Sequence, residues 1–155
     1  MNVDSGTVCI TLGTRPEAIK LAPIIQQCQR SSQLKTSVIL TGQHREMVAQ
    51  VMNLFHLKAD HDLQIMQAEQ TLSDITCRSL KGLEKLFTQI QPNLVIVQGD
   101  TTTAFAATLA AFYQQIPTAH VEAGLRSYNL YNPYPEEANR RLIGQLAQLN
   151  FAPTE

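Results

Sequence analysis

The sequence predicts an α/β fold in which a doubly wound, mainly parallel sheet carries helices on both faces. Three observations point there. Short apolar, β-branched runs recur along the 155 residues, stretches with helical spacing separate them, and capping signatures stand at the joins. Strands alternating with helices of this length require crossover connections, which are right-handed and leave the strands parallel and covered on both sides.

"TVCITLG" (Thr7 to Gly13) is short, apolar and β-branched, as suits a strand buried on both faces. Thr14 with Glu17 three residues on forms a capping box, and Pro16 falls in the first turn, where its missing N–H costs nothing. Ile19, Pro23, Ile24 and Cys28 carry that helix toward Arg30, and "LKTSVILTG" (Leu34 to Gly42) reads as the second strand. A helix from about His44 to Phe55 follows, and "DLQIM" (Asp62 to Met66) reads equally as a short strand or a loop. In "TLSDITCRSLKGLEKLFTQI", Thr71 and Asp74 make a cap signature, while Leu72, Ile75, Leu83, Leu86 and Ile90 hold helical spacing. "PNLVIVQGD" (Pro92 to Asp100) is the clearest buried strand; the Ala-rich helix "TTTAFAATLAAFYQQ" and the short strand "PTAHVEAG" come next. "YNPYPEEANRRLIGQLAQLNFAP" opens as an aromatic, proline-rich loop and starts a helix near Pro135, with Glu136 and Glu137 favourably placed on its N-terminal dipole.

Composition narrows the function. The content is 44% hydrophobic, that of a globular domain, and the formal net charge of −1 provides no excess of Lys and Arg for nucleic acid or anionic lipid. No apolar run approaches the roughly 18 residues of a membrane span, and "MNVDSGTVCI" has neither a basic start nor a signal-like core, so a cytoplasmic location is expected. Cys9, Cys28 and Cys77 are odd in number and far apart, and are expected as buried reduced thiols. "HVE" matches part of a zinc deaminase signature but no PCxxC follows, and "HLKADHD" lacks a rigid ligand spacing, so no metal is expected and His120 reads as a satisfied strand-end histidine.

In a doubly wound sheet, ligands bind beyond the carboxyl ends of the strands, where helix N-termini converge. Arg15 and Lys20 follow the first strand, Asp100 follows the strand in "LVIVQGD", and Glu122 follows the one in "TAHVEAG". Cations and carboxylates at separate strand ends suit acid/base work beside an anionic group. Asp100 reads either as such a group or as a cap for the helix beginning at Thr101, whereas Glu122 has no capping role. Glu136 and Glu137 leave one carboxylate free for chemistry beyond the helix dipole, and Arg140 is spaced to pair with Glu136 on one helical face.

Taken together, "GTRPEAIKLAP", "QHREM", "GDTTT", "HVEAGLRS" and "PYPEEANR" resemble the non-hydrolysing UDP-N-acetylglucosamine 2-epimerases, in the same order and over nearly the whole chain. The resemblance implies the first of two Rossmann-like domains that face each other across a cleft, as in glycosyltransferases of the B type. The C-terminal nucleotide-binding domain is then missing from residues 1–155, and the full-length form is a homodimer. It implies interconversion of UDP-N-acetylglucosamine and UDP-N-acetylmannosamine by elimination of UDP to 2-acetamidoglucal and its re-addition, with no cofactor. Asp100, Glu122 and Glu136 are carried over as the acid/base carboxylates, and Arg15 and Lys20 as residues of the substrate and diphosphate site. Gln43 and His44 match an allosteric site for a second UDP-N-acetylglucosamine, beside which Glu46 and Glu69 depart from some relatives. Two other readings compete: a hydrolysing relative that releases free N-acetylmannosamine, and a non-catalytic UDP-sugar-binding or dimerisation module.

Overall fold

The computed structural model describes residues 5–154; the first four residues of the start read above, and Glu155, lie outside them. In chain order the elements are β1 (Gly6–Leu12), α1 (Arg15–Arg30), β2 (Leu34–Leu40), α2 (Arg45–Leu54), β3 (His61–Asp62), α3 (Leu72–Ile90), β4 (Leu94–Gln98), α4 (Thr102–Tyr113), β5 (Thr118–Val121), α5 (Glu136–Leu146) and β6 (Leu149–Phe151). They form a Rossmann-like α/β fold with a six-stranded sheet in the order β3-β2-β1-β4-β5-β6. Every pairing is parallel, and Val8 of β1 stands between Thr36 of β2 and Leu94 of β4.

The alternation of β1 sorts its side chains onto two faces. Val8, Ile10 and Leu12 pack with Leu21, Ala22 and Ile25 of α1 and Val48 and Met52 of α2. Cys9 points the other way, into a cluster with Leu83 and Phe87 of α3, Ala107, Ala110 and Ala111 of α4, and Ile143 of α5. Burial of an apolar side chain in such a layer contributes about 1.5–3 kcal/mol. The small residues of α4 let that helix sit between α3 and α5 with Ala106, Ala107, Thr108, Ala110 and Ala111 all buried. Between them the two layers cover both faces of the sheet, and the direction of winding reverses between β1 and β4, where such folds open a crevice.

Capping signatures stand where the sequence placed them. Thr14 and Glu17 open α1, and Thr71 opens α3, its hydroxyl accepting from Asp74 N–H at 3.2 Å while the Asp74 carboxylate accepts from Thr71 N–H at 3.0 Å. One open reading is resolved, one element is added and one expectation is corrected. The ambiguous run at Asp62–Met66 is a two-residue strand one position earlier, because Gln64 at φ 49° turns the chain out of the extended region. The tail beyond α5, for which the sequence predicted no element, contains β6, which joins the edge of the sheet beside β5. Of the cysteines only Cys9 is buried, its thiol pushed up to about 12 chiefly by burial; Cys28 is half-buried and Cys77 is exposed.

Because the two layers share one sheet, the chain is expected to unfold in a single cooperative urea transition. Replacing the fully buried Phe87 by Ala should lower its unfolding free energy by about 3–5 kcal/mol. A midpoint unchanged by Phe87→Ala would contradict the packing of α3 on β1 and β4.

Candidate active site

The loops after β1, β2 and β4 converge at one edge of the sheet, and Gly13 allows the closest approach. A Cβ at Gly13 would stand 2.0 Å from the Thr41 hydroxyl and 3.1 Å from that of Thr103, so no larger residue fits without displacing a neighbouring loop. Beside it the buried Glu17 carboxylate accepts from the N–H groups of Gly13 and Thr14, both at 2.7 Å, and from the Thr101 hydroxyl at 2.6 Å. Burial pushes this carboxyl above the usual carboxylate range, against the opposing pull of those hydrogen bonds. Thr101 also caps α4 by accepting from Ala104 N–H at 3.0 Å. Asp100 is therefore not the cap, and its carboxylate is free for another partner.

That partner is Arg140 of α5, whose side chain is only 6% exposed and whose Nη2 lies 2.5 Å from Asp100 Oδ2. The same guanidinium donates through Nη1 to the backbone carbonyl of Glu122, and its Nη2 stands 3.8 Å from Glu122 Oε1. A cation so deeply placed is tolerated only when neutralised and hydrogen-bonded, and here it sits between two carboxylates from different strand ends. Asn139 donates from its side chain to the Asp100 carbonyl at 2.9 Å, so adjacent residues of α5 hold both ends of Asp100. Glu122 is held further by Lys20, which forms an ion pair with Oε2, and by Gln98 Nε2 at 2.7 Å. Its backbone lies at φ 62°, a left-handed conformation that a non-glycine residue adopts at a cost of about 1–3 kcal/mol and that recurs at functional sites.

Two adjoining cavities meet at Asp100. One, of about 340 Å³, is bordered by Gln43, His44, Asp100, Glu136 and Asn139; the other, of about 270 Å³, by Asp100, Arg126, Ser127 and Arg140. A larger cavity, about 530 Å³, lies before β5 among Phe112, Tyr113 and Pro117, and its wall carries no acidic or basic side chain. The charged pair of cavities is the better candidate for proton transfer.

The structure thus gathers Lys20, Asp100 and Glu122 through shared contacts with one another or with Arg140, and sets Glu136, Gln43 and His44 on the wall that Asp100 borders. Arg15 is exposed at the first position of α1, between Thr14 and Pro16 of that wall, and among the described residues no hydrogen bond or ion pair holds its guanidinium. Arg140 does not pair with Glu136 as its spacing suggested, because its guanidinium turns inward to Asp100 and Glu122. The i,i+4 pair on this helix is Glu137 with Arg141 at 2.7 Å, and Glu137 also accepts from Ser127 N–H at 2.7 Å, so the structural duty falls on Glu137 and Glu136 faces the cavity. His120 is half satisfied: Nε2 donates to Gly99 O at 2.7 Å, whereas the buried Nδ1 has no partner among the described residues. Burial lowers its pKa, so the ring is held neutral beneath the Asp100 loop. Among the described residues no group of three or more His, Cys, Asp or Glu could hold a metal ion; Asp60 of "HLKADHD" instead accepts from Val38 N–H at 2.7 Å.

Sequence reasoning missed Gln98 and Asn139, and gave Arg140 the wrong partner. The available signal was weak: Arg140 stands three residues before Ile143 and so shares the face of α5 that packs inward.

Comparison with known proteins bears on the family and the fold. The family model described as UDP-N-acetylglucosamine 2-epimerase matches residues 26–155. The UDP-N-acetylglucosamine 2-epimerase of Neisseria meningitidis is 55% identical over 148 residues, which cover 96% of this chain and 40% of that protein. The solved structure of the Neisseria meningitidis UDP-GlcNAc 2-epimerase bound to UDP-GlcNAc superposes with a TM-score of 0.92 at 54% identity, covering 96% of this chain and 41% of that one. The Methanocaldococcus jannaschii enzyme in complex with UDP-GlcNAc and UDP gives 0.89 at 37% identity, with 96% and 40% covered. The chain spans about two fifths of the length of these relatives, 40% in the first case. With that family model matching residues 26–155 and a relative 55% identical over 96% of this sequence, the chain belongs to the UDP-N-acetylglucosamine 2-epimerase family.

Proposed function

We propose that this chain forms one wall of the active site of an enzyme that interconverts UDP-N-acetylglucosamine and UDP-N-acetylmannosamine, a second nucleotide-binding domain forming the other. The observation that carries the reading is Arg140, which holds the carboxylate of Asp100, where two cavities meet, beside that of Glu122. The C2 proton of the sugar is not adjacent to a carbonyl and is only weakly acidic, so its removal has to be coupled to loss of the C1 substituent. A carboxylate takes the C2 proton, the C–H electron pair becomes the C1–C2 double bond of 2-acetamidoglucal, and the C1–O pair leaves on the UDP β-phosphate. Re-addition of UDP at C1 with protonation of C2 from the other face gives the epimer. Three carboxylates, Asp100, Glu122 and Glu136, supply groups for proton exchange at both faces.

The diphosphate needs cations while it is detached. In this reading they come from Arg15, at the first position of α1 with no ion pair among the described residues, and Lys20, five residues further on and engaged by Glu122. A charged side chain suits a diphosphate that leaves and returns, where a glycine-rich loop suits the fixed pyrophosphate of a bound dinucleotide. Gln43 and His44 border the same cavity as Asp100 and Glu136, so a second nucleotide sugar held by them would bear directly on the catalytic wall.

The test joins this chain to the second domain of the Neisseria meningitidis relative and follows the C2 proton of UDP-N-acetylglucosamine by NMR in deuterium oxide. Epimer formation with solvent deuterium at C2 is the expected result; release of free N-acetylmannosamine would point to the hydrolysing reaction instead. In that protein Asp100→Asn, Glu122→Gln and Glu136→Gln should each lower turnover by about 10²- to 10⁴-fold while UDP binding, measured by calorimetry, changes far less. Near-normal exchange in any one of them would remove that residue from the mechanism.

The 155-residue chain by itself is expected to fold and to be catalytically silent. With one wall of the cleft it neither excludes water nor orients the diphosphate, and losses of orientation and preorganised charge multiply. Exchange at C2 by the chain alone, at a rate comparable with the joined protein, would show that the second domain is dispensable.

A further inference from the structure

Glu17 stands behind the cavity wall at 1% exposure, and its carboxylate makes more hydrogen bonds than a helix cap needs. Oε2 accepts from Gly13 N–H and Thr14 N–H, each at 2.7 Å, and from the Thr14 hydroxyl at 3.0 Å, which completes the cap of α1. Oε1 is turned away from that cap and accepts from the Thr101 hydroxyl at 2.6 Å, across 84 residues of sequence. Thr101 is itself the cap of α4: with its proton committed to Glu17, its lone pair faces Ala104 N–H at 3.0 Å. One buried carboxylate therefore fastens the first turn of α1 to the first turn of α4.

The neighbours of the two fastened threonines are Arg15, which follows Thr14, and Asp100, which precedes Thr101. Glu17 touches neither of their side chains but joins the backbone on which each is mounted. We infer that Glu17 is a positioning residue for the epimerisation, setting through Thr101 the separation between the Arg15 cation and the Asp100 carboxylate; the inference rests on the reaction proposed above. Both groups act on one sugar diphosphate, one at the departing phosphate and the other near C2, so their spacing enters the rate directly. Displacements of the order of 1 Å cost about 10²-fold in such sites.

The experiment uses the joined two-domain protein and the variants Glu17→Gln, Thr101→Val, Thr101→Ser and the pair Glu17→Gln with Thr101→Val. Glu17→Gln and Thr101→Val should each lower kcat by about 10- to 100-fold with KM within about threefold, since a spacing error is felt in the transition state more than in binding. Thr101→Ser, which keeps the hydroxyl, should recover most of the rate that Thr101→Val loses. The pair should be no slower than the slower single variant, because both changes sever one link. An unaltered kcat in the single variants, a loss confined to KM, or losses that multiply in the pair would overturn the inference. Should Glu17→Gln fail to fold, the contrast between Thr101→Val and Thr101→Ser decides by itself: equal rates in these two overturn it. Failure of the proposed reaction has a different signature, an inert parent protein, which sinks both; an active parent silenced by Asp100→Asn, with Glu17→Gln and Thr101→Val unimpaired, sinks this inference alone.

Discussion

The parallel pairing of β1 with β2 on one side and β4 on the other is the constraint from which the rest of the molecule follows. Parallel neighbours expel their following loops at the same edge, so residues far apart in sequence, Lys20 and Glu122 for example, come within ion-pairing reach without any element made specially for the purpose. The same arrangement buries β1 on both faces, and its side chains divide between the α1/α2 layer and the α3/α4/α5 layer. Rigidity at the site is borrowed from these layers, since each loop is only a few residues away from a strand with neighbours on either side.

Charge is distributed at that edge according to what burial allows. Arg140 is the most enclosed of the cations, and truncating one partner of such a pair costs about 3–5 kcal/mol because it strands the other. Asp100 and Glu122 both compensate the arginine, and Asp100 also borders both cavities. Lys20 is about half exposed, so solvent screens its pair with Glu122, and that contact is easily exchanged for one with an anionic ligand. Glu122 is also held in a left-handed backbone conformation, and the hydrogen bond from Arg140 to its carbonyl secures the peptide that follows.

Division of labour between adjacent carboxylates recurs on α5. Glu137 turns inward to Ser127 N–H and Arg141, which anchors the loop that carries the exposed Tyr128, Tyr131 and Tyr134; Glu136, one residue earlier, has no such duty. A rotation of about 100° per residue is enough to put one acid in the framework and the next at the cavity.

Local chemistry alone was sufficient for most of the elements. The capping boxes at Thr14 and Thr71, the β-branched runs at Thr7–Gly13 and Leu94–Val97, and the Ala-rich helix after Thr101 declare themselves within a few residues, because their signals are backbone preferences and side-chain periodicity. The strand-end positions of Arg15, Lys20, Asp100 and Glu122 were legible for the same reason, once the sheet was taken as parallel. Long-range pairing was not. β6 is three residues long, exposed, and a strand only because β5 offers it an edge; β3 is cut short by the backbone of Gln64. The partner of Arg140 was misread because helical spacing counts neighbours on one cylinder, whereas a buried cation is claimed by whichever carboxylates the packing brings within 4 Å. The capping box at Thr14 foretold the Glu17 hydrogen bond from Thr14 N–H and could say nothing of Thr101, since the other carboxylate oxygen is occupied by a loop that reaches it only after α3 has crossed the sheet.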